Sequence, residues 1–161
     1  MVTAEEVENL LVNLSQKDFL DRINAGTELL DYRSKVLVSH LWVEQLMEYI
    51  IIKKFKNYED ITDFDFSRKR KILFGLGIIN EDMNHELKIL NQIRVEFAHK
   101  IYPLQEKVPN LIKKFKMYTK LHTNKNADLL SEDVIFGMIT GIVTRYLVEI
   151  LWGLKSDDKK K

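Results

Sequence analysis

Between Tyr32 and Phe55 the chain carries Val36, Leu37, Val38, Leu41, Trp42, Val43, Leu46, Met47, Tyr49, Ile50, Ile51 and Ile52. These positions go round nearly every side of a helix instead of running down one stripe. A helix with so little polar surface has to be wrapped by others. The expectation is a helical bundle with residues 32–55 at its centre.

The rest of the chain agrees with that reading. At 161 residues it is long enough to bury one substantial core and short for two. Six glycines and two prolines leave few turn signals, and Leu, Ile, Lys and Glu abound; that composition favours helices over a sheet. We expect an all-α chain, a single helical domain over 1–155 and a disordered basic tail over 156–161.

Capping residues divide the domain. Thr3 caps a first helix to Asn13, with Val7, Leu10, Leu11 and Leu14 as its apolar stripe. Ser15 opens a second through Phe19, Leu20 and Ile23 toward Leu30, where Gly26 is a candidate interruption. Asn57–Asp65 reads as a loop, and Ser67 as the cap of a short basic helix ended by Gly75 and Gly77. Asn80 caps the next helix, which has Glu81 and Asp82 in its first turn and is limited by Pro103. A further helix covers Gln105–Leu121, and Ser131 caps the last one. The echo between IIKKFKNY and LIKKFKMY reflects lysines gathering at helix C-termini, and no similarity extends beyond it.

Several function classes fall away. Without cysteine there is no disulfide, thiolate nucleophile or iron–sulfur cluster. The acidic start MVTAEEVENLL is unlike a secretory signal, and no segment reaches ~18 uninterrupted apolar residues, so the expectation is a cytoplasmic protein with no membrane partner. Net charge is +1, divided between an acidic stretch before Tyr32 and a lysine-rich one over Lys100–Lys120. That pattern suits a local anion-binding face better than a general nucleic-acid coat. Nothing reads as a helix-turn-helix.

One short stretch holds candidate chemistry: LNQIRVEFAHK, Leu90–Lys100. At about 100° per residue, Leu90, Ile93, Phe97 and Ile101 form a core stripe with Arg94 on its flank, and His99 lies about 140° away from Arg94. The two cannot meet as an i, i+4 pair. They could share a substrate at a frayed helix end or across a two-fold interface between copies. There a guanidinium would clamp a phosphoryl group while an imidazole moves protons. With RNA the 2′-hydroxyl is an internal nucleophile, so neither a metal nor a cofactor is called for. On spacing alone, a surface pair or a salt bridge explains the two residues better than a shared site does. Glu44 lies four residues after His40 and can face it, as a structural pair or as a catalytic acid.

The surrounding residues resemble the HEPN superfamily, in the branch related to the mannitol operon repressor. The resemblance rests on Phe66, Ser67, Lys69, Gly75–Ile79, Leu87, Lys88, Ile93, Arg94, Phe97, Ala98 and His99, and more loosely on SHLWVEQLMEYII with Glu44 as the family's acidic residue. It covers a little under half of the chain. What it implies is a four- to five-helix bundle with extra short helices that forms a homodimer, with Arg94 and His99 lining a shared cleft. Many members are metal-independent endoribonucleases of toxin or defence type, some paired with a nucleotidyltransferase antitoxin; others are non-catalytic modules in regulation, including transcription regulation. Lys69, Arg70, Lys100 and Tyr102 are then candidates for holding RNA phosphate. Val95 stands where active members carry a polar residue, and Tyr102 comes one position later than the tyrosine of the toxin pattern.

Overall fold

A computed structural model describes residues 3–28, 30–99, 107–115 and 130–158. Among these the chain is all α-helical: α1 (Ala4–Asn13), α2 (Gln16–Glu28), α3 (Tyr32–Lys54), α4 (Glu59–Thr62), α5 (Phe66–Gly75), α6 (Glu81–His99), α7 (Lys107–Ile112) and α8 (Glu132–Asp158).

Asp31 starts α3 by accepting from the Ser34 amide at 3.1 Å and from its hydroxyl at 2.6 Å. Lys53 and Lys54 end it, where the helix dipole favours cations. As its composition demanded, α3 is the hub. It packs against α1, α2, α4, α5, α6 and, most extensively, α8. Val36, Val43, Leu46, Met47, Ile50, Ile51 and Ile52 are buried along it, each contributing roughly 1.5–3 kcal/mol from water exclusion. One apolar position departs from the expected wrapping, since Leu41 is 61% exposed.

The long α8 returns along α3 and buries Ile135, Phe136, Ile139, Val143, Leu147, Val148 and Leu151. Its Glu132–Leu154 stretch is long and apolar enough to cross a membrane, with half of its most apolar window buried in the bundle. That half packs on the bundle core. Phe19 of α2 stands edge-on to Trp42 of α3 and tilted against Trp152 of α8, at centroid distances of 6.2 and 5.4 Å. Tyr32 joins Phe97 of α6 to Phe136 of α8 in the same manner. Both tryptophans are thus core contacts within one chain.

Several helix boundaries differ from expectation for identifiable reasons. The cap of α5 is Asp65, whose carboxylate accepts from the Arg68 amide at 2.9 Å, and Ser67 lies inside the helix. Gly26 does not interrupt α2. The segment after α3 contains the single turn α4. At the other end, α8 runs on through Asp158, into the stretch read as tail. The α5–α6 turn depends on Gly77 at φ 67°, which lets the Gly77 and Ile78 amides reach the Phe74 and Leu73 carbonyls. Asn80 then caps α6 by accepting from the Met83 amide at 2.8 Å.

Candidate functional site: a buried polar cluster around His40

Three polar residues recur along α3 at helical spacing, His40, Glu44 and Glu48, on a helix that otherwise offers mainly apolar contacts. The periodicity puts them on one face, and that face meets α5 and α6. His40 is 2% exposed. Its ring stacks on Phe66 of α5, with centroids 4.2 Å apart and planes inclined by 27°.

The imidazole Nε2 lies 3.0 Å from the amide oxygen of Asn91 on α6. That oxygen only accepts, so Nε2 carries the proton and donates it. The Asn91 amide in turn donates to the Ser67 hydroxyl at 3.4 Å. Burial pushes His40 down from 6.5 to about 4; the Asn91 bond opposes this and the positive charge of Arg94 adds to it. At neutral pH the ring is therefore uncharged, with a lone pair on Nδ1. Glu44 Oε2 is 3.9 Å from that nitrogen, beyond direct hydrogen-bond range.

Glu44 instead shares a cation. Lys69 of α5 places its ammonium 3.1 Å from Glu48 and 3.7 Å from Glu44. Phe66, Lys69 and Leu73 form the buried face of α5, which carries this lysine into the bundle between two apolar neighbours. Two carboxylates and their solvent-facing edges make the burial tolerable.

Of the residues singled out by sequence, Arg94 is half-buried on α6, one turn beyond Asn91, within electrostatic range of His40. Lys69 lies inside the ion cluster, away from the surface. Arg70 is half-buried and donates to the side chain of Asn84 on α6, which leaves Arg68 and Lys71 as the exposed members of the basic run. His99 is the last residue of α6; its side chain, Lys100 and Tyr102 lie outside the described residues. Asn91, Ser67 and Glu48 were missed by sequence reasoning, although Glu48 continues the His40–Glu44 spacing and Asn91 precedes Arg94 by one turn.

Chemically, the cluster cannot itself meet a substrate at His40, which is sealed by Phe66. What it can do is hold the register of α3, α5 and α6, with Arg94 one helical turn beyond Asn91 on α6. No protein-family model, curated protein or solved structure matches this chain.

Proposed function

We propose that the chain is a HEPN-like protein that acts on RNA as a homodimer, with Arg94 as the phosphate clamp and His99 as general acid and base. The observation that carries this reading is the placement of Arg94. It is half-buried on α6 one turn beyond Asn91, close enough to His40 for its positive charge to depress the neutral ring, and no carboxylate forms an ion pair with it among the described residues.

In the proposed reaction, His99 accepts the proton of a ribose 2′-hydroxyl as that oxygen bonds to the adjacent phosphorus. The bond to the 5′-oxygen breaks, the leaving oxygen takes a proton, and a 2′,3′-cyclic phosphate remains. Arg94 stabilises the charge that builds on the phosphoryl oxygens. Glu44 and Lys69 support the helices that carry these groups.

Cleavage of a mixed RNA substrate by the purified protein should fall at least ~100-fold in Arg94→Ala and in His99→Ala with circular dichroism unchanged. Equal cleavage by wild type and both variants would sink the reading.

A second reading has its own support. Lys69 is neutralised by Glu44 and Glu48, Val95 beside Arg94 is 38% exposed and Leu41 beside His40 is 61% exposed. Exposed apolar side chains next in sequence to Arg94 and His40 suit a non-catalytic regulatory module that binds a protein, a nucleotidyltransferase antitoxin among the candidates. A protein that cleaves no RNA and loses a co-purifying partner on Val95→Asp would favour it.

A further inference from the structure

On the side of α3 that faces α2 and α8, the bundle leaves an open cleft of about 810 Å³. Its size is that of a small-molecule site. Helix α3 turns His40 toward α5 and α6 and presents the preceding residue, Ser39, to this cleft.

The lining has three unusual properties. First, Ser39 and Thr144 are only 7% and 5% exposed, line the cleft, and have no hydrogen-bond partner in the chain among the described residues. The neighbouring Thr140 is different, because its hydroxyl is returned to the Phe136 and Gly137 carbonyls at 2.9 and 3.1 Å. Neither hydroxyl is sealed away from the cleft, so both are offered to whatever occupies it.

Second, Gly137 and Gly141 sit within α8, where glycine weakens a helix, and a Cβ at either would meet nothing within 4 Å. No contact among the described residues requires them to be small. Their effect is to keep the α8 wall open to whatever enters.

Third, each of the three helices brings one cation: Lys17 from α2, Lys35 from α3 and Arg145 from α8. Arg145 is tethered by its Nε to Glu149 at 3.0 Å, which leaves its terminal nitrogens available. Lys17 and Lys35 make no ion pair among the described residues, although Lys35 is close enough to Asp133 to lower that carboxyl. The acids facing the same space are Asp21 and Glu149, so cations outnumber them.

The geometry points to a second, independent binding site here for a small phosphomonoester, its phosphate held by Lys17, Lys35 and Arg145 and its polar body bonded by Ser39 and Thr144. Leu20 and Ile23 supply the apolar part of the wall. The site lies apart from Arg94 and does not depend on any action on RNA.

The test is a ¹⁵N–¹H NMR titration of the full chain with adenosine 5′-monophosphate and, separately, inorganic phosphate, each against sodium chloride at the same ionic strength. Saturating shifts at Ser39, Thr140 and Thr144 with the nucleotide support the site. If inorganic phosphate saturates the same amides, the phosphate alone suffices; if only the nucleotide does, the body of the molecule is read as well. The Lys17→Met/Lys35→Met double variant should weaken binding about tenfold or more, and Gly141→Leu, which fills the cleft, should abolish it. Shifts that sodium chloride reproduces, or unchanged binding by a folded Gly141→Leu or by the lysine double variant, would overturn the proposal.

Discussion

Replacing His40 with glutamine should change how the protein responds to acid more than how it behaves at neutral pH. Glutamine keeps a donor for the Asn91 oxygen but cannot titrate. In the wild type the imidazole is held from 6.5 down to about 4, chiefly by burial. Above the upper value both folded and unfolded chains are neutral at this site. Between the two, the unfolded chain is protonated and the folded one is not, so stability falls as pH falls through that window. Linkage sets the loss from this one residue at about 2 kcal/mol by pH 5 and about 3 by pH 4.

Glu44 lies 3.9 Å from Nδ1 and the charge of Arg94 reaches the ring, so the comparison is made against His40→Gln. At pH 7.5 the variant should be less stable by about 1–2 kcal/mol, from lost stacking on Phe66. By pH 5 that deficit should vanish or reverse. Urea unfolding followed by the fluorescence of Trp42 and Trp152 at a series of pH values measures both. Two stability curves that fall in parallel between pH 7.5 and 5 would refute a buried, neutral His40.

The other expectations concern its surroundings and the α5–α6 turn. Arg94→Gln removes a positive charge that depresses His40, so the ring's NMR titration should move to higher pH; a fixed midpoint would place Arg94 elsewhere. Lys69→Met leaves Glu44 and Glu48 one turn apart without their cation and should cost about 2–4 kcal/mol in chemical denaturation. The Glu48→Gln/Lys69→Met pair should recover part of that loss, and strictly additive losses would argue against the ion pair. Gly77→Ala should cost about 1 kcal/mol because of its positive φ, whereas Gly75→Ala, inside α5, should be neutral or stabilising; thermal melts of the two distinguish these outcomes.

The all-α bundle and the central place of α3 could be read from the chain because hydrophobicity all round a helix has one physical solution. Helix starts were legible where a single capping residue was available, as at Thr3 and Asn80. They failed at Asp65-Phe66-Ser67, where two capping residues compete. The aspartate wins because Phe66 must enter the helix to be buried, and Ser67 is needed by Asn91. The end of α8 was invisible because Lys155–Asp158 carries no apolar periodicity. The site was half legible. His40 and Glu44 announced a shared face by their spacing, but Lys69 looked like one cation in an exposed basic run. Its position between Phe66 and Leu73 at helical spacing was the missed signal, and only the packing of α5 on α3 gives that signal its meaning.

The pairing of α3 with α8 has a consequence for the birth of the protein. The most extensive packing of α3 is against a helix that begins at Glu132, long after α3 has ended at Lys54. At ribosomal speeds of ~5–20 residues per second, that delay is on the order of ten seconds. For this interval the nascent chain carries a finished but uncovered hub, and its most vulnerable moment with respect to aggregation comes before the final helix leaves the exit tunnel.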